Sequence, residues 1–115
     1  MKRKNIKDRC QKRNLQKFRG VCKTYDEISY RLADILSEDE EIKEIRCNVP
    51  LEGFPEGDYT TDFVCTKDNN ELMVRECVYR KHLTKPLTIK LLDASRKFWL
   101  ERGVIDWKIV VEEEN

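Results

Sequence analysis

From Ile28 onward the apolar positions recur at helical spacing, with Ile28, Leu32, Ile35 and Leu36 on one stripe. Thr24 and Glu27 stand where a T-x-x-E capping box would open such a helix, so the pattern predicts a helix from about Tyr25 to Leu36, ending near Ser37. After the acidic turn SEDEE the period changes. Ile42, Ile45, Cys47, Val49 and Leu51 mostly alternate, as in a strand, until Pro50 begins to close it. LEGFPEGD, with two Gly and a Pro, reads as a loop. YTTDFVCT and ELMVRECVY then flank the turn residues KDNN, which predicts a hairpin of two strands. Thr84 and Pro86 mark a second helix, whose inward stripe is Leu87, Leu91, Ala94, Ser95 and Phe98 and whose stop is Gly103. Ile105, Trp107, Ile109 and Val111 alternate in a last strand before EEEN frays into solvent.

The order is αβββαβ, an α/β fold in which a mixed four-stranded sheet is flanked by helices. The third strand, second helix and last strand form a crossover unit, so the last strand should run parallel to the third. One residue sits awkwardly in this scheme. Leu72, Val74, Glu76 and Val78 share a face of the third strand, and that face puts a carboxylate among aliphatic side chains. Asp62 can face Glu76 across the hairpin only if the loop has an odd number of residues, such as Asp68 to Asn70 with an Asn in the left-handed conformation.

Composition narrows the classes without choosing among them. The 115 residues suit one domain, and no run of apolar residues is long enough to suggest a membrane span or a signal peptide, so a cytoplasmic protein is expected. The net charge of +1 hides an asymmetry. Residues 1 to 25 hold ten Lys or Arg against one acid, and the other 90 hold 13 against 21. A basic N-terminal arm, residues 1–20, is therefore expected ahead of a domain at 21–115, and Lys2, Arg3, Lys4, Lys12, Arg13, Lys17 and Arg19 are its candidate DNA-phosphate contacts. Five cysteines without a C-x-x-C pair argue against a thiolate zinc site and read as reduced, mostly buried side chains.

Three carboxylates remain as candidate chemistry: Glu27 at the start of the first helix, Asp62 and Glu76. Acids that converge hold hard cations such as Mg²⁺, which keep waters for a phosphate substrate and a nucleophile. The residues around them resemble a family. TYDE in the helix, RCNVPL, the TDF strand, the REC strand and the segment LLDASRKFWLERGVIDWKIVVEEE are similar to the TnsA-type endonuclease of heteromeric transposases, a branch of the PD-(D/E)XK nuclease superfamily. The resemblance covers roughly residues 20 to 113, and its restriction-endonuclease-like core has the order of elements inferred above.

What the resemblance implies can be placed residue by residue. Glu27, Asp62 and Glu76 would be the Mg²⁺ or Mn²⁺ ligands, with the backbone carbonyl of Cys77 completing the set. The motif lysine that orients the attacking water is replaced by Val78, so its role would fall to Lys81, Lys90 or Arg80. Two readings follow, a stand-alone metal-dependent DNA endonuclease of TnsA type, or a nuclease fold that has lost its chemistry and serves as a DNA- or protein-binding factor of a phage or mobile element. The first would act by metal-activated water, without the C-terminal domain through which the transposase subunit engages its partner. A homodimer through Phe98, Trp99 and Trp107 is a third expectation.

Overall fold

The computed structural model describes residues 10 to 113. Its main sheet has four strands in sequential order, β3 (Ile42–Pro50), β4 (Thr60–Lys67), β5 (Leu72–Cys77) and β6 (Asp106–Val110), preceded by a short hairpin of β1 (Gln11–Arg13) and β2 (Cys22–Thr24). The β3–β4 and β4–β5 pairs are antiparallel, and β6 runs parallel to β5, so the sheet is mixed as expected. Helices α1 (Glu27–Glu38) and α2 (Pro86–Glu101) supply separate cores. Ile28, Leu32, Ala33 and Leu36 of α1 pack with Ile42, Ile45, Phe63, Cys65 and Met73, whereas Leu91 and Trp99 of α2 pack with Val64, Val74, Phe54 and Tyr59. Neighbouring residues of β4 and β5 thus serve opposite cores, which follows from the two-residue period of a strand. Among the described residues no helix is long and apolar enough to cross a membrane.

The hairpin that carries the two acids has the expected register. Phe63 pairs with Arg75 and Thr66 with Leu72, the alignment that sets Asp62 against Glu76. Its loop is Asp68 to Asn70, closed by the Lys67 N–H donating to the Glu71 carbonyl at 2.9 Å and the Asn70 N–H to the Lys67 carbonyl at 2.8 Å. Asn70 holds φ of 69°, in the left-handed region that Asn tolerates better than most residues.

Three expectations shift. The cap of α1 is Asp26, whose carboxylate accepts the Ser29 N–H at 2.7 Å. Thr24 is withdrawn from that role because it is buried in β2 opposite Gln11, and Glu27 is left to pair with Arg31 one turn on. The buried stripe of α2 is Thr88, Leu91, Leu92, Ser95 and Trp99, and Leu87 is exposed. Nor do residues 11 to 20 stand apart from the domain. The β1–β2 hairpin folds back beside α1, and the turn between its strands lies along β3, with the Arg19 N–H donating to the Ile45 carbonyl and the Ile45 N–H to the Lys17 carbonyl. Covering the outer edge of β3 in this way protects it from pairing with another chain.

Candidate functional site

Asp62 and Glu76 meet where the β4–β5 ladder ends, and both are buried, Glu76 at 0% and Asp62 at 2% exposure. Past the last pair, Phe63 and Arg75, each acid receives a backbone donor from the opposite strand. The Asp62 N–H donates to Glu76 Oε1 at 3.0 Å, and the Cys77 N–H donates to Asp62 Oδ2 at 2.7 Å. The acids therefore close the end of the hairpin through side chains where backbone pairing has stopped, with the Cys77 amide engaging Asp62.

The second oxygen of Glu76 faces two hydroxyls. Ser95 Oγ, from α2, donates to Oε2 at 2.6 Å, and Thr61 Oγ1 donates to it at 3.1 Å. Each hydroxyl in turn accepts an indole N–H, Thr61 from Trp99 at 3.0 Å and Ser95 from Trp107 at 3.1 Å. The Tyr59 hydroxyl also bonds Glu76. Burial, then the adjacent Glu76 carboxylate, pushes the Tyr59 phenol well above its ordinary value. A carboxylate in an apolar setting costs several kcal/mol unless it is paired. Here the compensation comes from neutral donors on β4, α2 and the loop before β4. Arg75, next to Glu76 in the chain, points to the far face and binds Asp106 at 2.8 Å.

The other site residues expected from the sequence lie elsewhere. The Glu27 side chain is 64% exposed and pairs with Arg31 at 2.9 Å. Lys90 pairs with Glu56 at 3.1 Å on an outer wall of α2. Lys81 is exposed and lies 5.9 Å from the Tyr79 ring centroid, while Arg80 bonds Glu112. Val78, at the position of the motif lysine, is buried, and its N–H continues the sheet to the Val110 carbonyl at 2.9 Å. Among the described residues no group of three or more Asp, Glu, His or Cys side chains is placed to hold a metal ion. Both oxygens of Glu76 face hydrogens, and the third carboxylate, Glu27, is on the surface.

The basic residues divide as well. Arg13 lies 3.6 Å over the Tyr30 ring, pairs with Asp34 at 2.8 Å and donates to the Tyr30 carbonyl, so it is part of the packing of the hairpin on α1. Lys17 donates to the Asp39 carbonyl and Arg19 pairs with Glu44 at 3.2 Å. Lys12 differs. It is exposed and stands directly opposite the exposed Lys23 in the β1–β2 register. Lys2, Arg3 and Lys4 lie outside the described residues.

Sequence reasoning found the two acids and missed what surrounds them. Ser95 gave a signal, a hydroxyl on an otherwise apolar helical stripe, whereas nothing in the pattern singles out Thr61, Tyr59 or the two indoles as partners. No protein-family model matches the chain, and no curated protein matches it.

Proposed function

We propose that this chain is a DNA-binding module built on a restriction-endonuclease-like scaffold of TnsA type, in which Asp62 and Glu76 hold the fold together instead of holding a cation. The observation that carries the first part is the Lys12–Lys23 pair. Like charges directly opposite on a strand pair repel, and nothing in the folded domain is needed to set two lysines there. A polyanion removes the penalty. The nine residues before the described part add five bases against one acid to the sequence, so the N-terminal stretch is basic while the rest of the chain is acidic. The second part rests on the saturation of Glu76 by the Asp62 amide and the Thr61 and Ser95 hydroxyls.

The test is fluorescence anisotropy with a labelled DNA duplex over a range of salt. Lys12→Glu/Lys23→Glu should weaken binding at every sequence and lower the salt slope by about two, one unit for each phosphate that is no longer neutralised. An unchanged slope would sink the proposal.

The endonuclease reading has one observation in its favour, the convergence of Asp62, Glu76 and the Cys77 backbone at a single point. It is tested on supercoiled plasmid with Mn²⁺. Nicking that disappears in both Asp62→Ala and Glu76→Ala would restore it over the present proposal.

A further inference from the structure

Two of the five cysteines meet. Cys22, in β2, is wholly buried, and Cys47, in β3, is partly exposed. Two contacts on either side of Cys22 hold the strands in this relation. The Cys47 thiol donates to the Val21 carbonyl at 3.8 Å, and Asn48 Nδ2 donates to the Lys23 carbonyl at 2.8 Å. Val21 and Lys23 bracket Cys22, whose thiol neighbours that of Cys47. Asn48 reaches the hairpin from a left-handed backbone, φ of 53°.

The pair is asymmetric in a way that matters for sulfur chemistry. The Cys22 hydrogen bond, followed by those from the backbone and Asn48, outweighs burial and brings the Cys47 thiol down to about 6. The same contact, together with burial, pushes Cys22 well above its ordinary value. One sulfur is therefore partly exposed and the more acidic of the two, and the other lies fully buried behind it. Cys65 contrasts with this pair, since burial pushes its thiol up to about 12.

We infer that Cys47 and Cys22 form a dithiol oxidation site, with Cys47 as nucleophile and Cys22 as resolving thiol, whose oxidant is a low-molecular-weight disulfide. In the first step the Cys47 thiolate attacks one sulfur of the small disulfide; a new S–S bond forms, the old one breaks, and one small thiolate leaves. Cys22 then loses its proton to solvent and attacks Cys47 Sγ, expelling the second small thiolate. The protein gains a Cys22–Cys47 bond, and one disulfide has become two thiols. The product ties the β1–β2 hairpin covalently to β3. This chemistry is independent of whether the hairpin touches DNA.

The reduced full-length chain, incubated with oxidised glutathione and followed by intact-mass spectrometry under non-reducing conditions, decides it. The expected result is the loss of two hydrogen masses with a transient single glutathione adduct, and a peptide map that links Cys22 to Cys47. Cys22→Ser should stop at the adduct on residue 47, and Cys47→Ser should leave residue 22 unmodified. Because the map of the unaltered protein identifies the linkage without any variant, misfolding of Cys22→Ser would not spare the proposal. A stable adduct on Cys47 that never resolves, or oxidation confined to Cys10, would overturn it.

Discussion

Replacing Glu76 by Gln, with and without Mn²⁺, separates a structural carboxylate from a metal ligand by a stability change and its metal dependence. In the structure Oε2 accepts from the Ser95 and Thr61 hydroxyls, and each of those hydroxyls already accepts an indole N–H. A carboxylate oxygen can only accept, so with the indoles also donating to them both hydroxyls spend their single proton on Glu76. A Gln that keeps its carbonyl oxygen on the Asp62 amide turns its NH₂ toward them. Two charge-assisted bonds then disappear, each worth about 1.5–3 kcal/mol, against relief of the cost of burying a charge. The net expectation is a destabilisation of about 2 kcal/mol. For a domain of this size that lowers the melting temperature by roughly 8 °C or more.

The assay is thermal or urea denaturation in the presence of a chelator or of Mn²⁺. If Asp62 and Glu76 were instead a cation site, Mn²⁺ would raise the melting temperature of the unaltered chain and not that of Glu76→Gln. A variant that melts at or above the unaltered chain would refute the argument from donors.

Asp106 predicts the acid limb of the stability curve. Burial would raise its carboxyl, but hydrogen bonds from Lys67 and Arg75, both at 2.8 Å, outweigh this and hold it below the usual range. A depressed carboxylate contributes stability that is present above its unfolded pKa of about 3.9 and disappears as pH falls through its folded value. Urea midpoints should therefore drop below about pH 4, and Asp106→Asn should lower stability at pH 7 while flattening that drop; parallel pH profiles would show the ion pairs to be inert. Asn70→Ala should cost about 1 kcal/mol, since its φ of 69° disfavours a Cβ that lacks the Asn side chain's local hydrogen bonding, and a denaturant midpoint equal to that of the unaltered chain would contradict the loop argument.

What was legible in the chain depended on how much of each feature was local. The β4–β5 register could be read because side chains alternate strictly along a strand and Asn70 supplies the left-handed residue that a three-residue loop needs. The parallel placement of β6 followed from the crossover through α2. The phase of α2 could not be read so well. Its amphipathic period is present, but Leu87 and Thr88 are neighbours, and hydrophobicity places the Leu inward. In the fold Thr88 is buried and Leu87 exposed, since the phase is set by Trp99 and Ser95, which must meet polar partners on the sheet. The N-terminal hairpin left no trace either. Its strands are three residues each, QKR and CKT, too short and too polar for a period to show. The basic charge there was visible, but which bases are committed to the fold was not, because Asp34, Asp39 and Glu44 come from elsewhere in the chain.

The same polar cluster explains how α2 and β6 find a single arrangement on the sheet. Apolar packing between a helix and a strand is tolerant of small slides, and the core around Val64, Val74 and Leu91 would accept several. Directional bonds would not. Glu76 is fixed by the Asp62 amide at the end of the hairpin; Ser95 must reach its other oxygen, which sets the rotation and height of α2; Trp107 must then reach Ser95, which sets β6, and Trp99 must reach Thr61, which fixes the helix a second time. A one-residue slip of β6 would turn Trp107 to the opposite face and leave its indole N–H without this acceptor. A buried acid satisfied by several elements at once thus trades the cost of its burial for one defined register, which an aliphatic residue at position 76 would not impose.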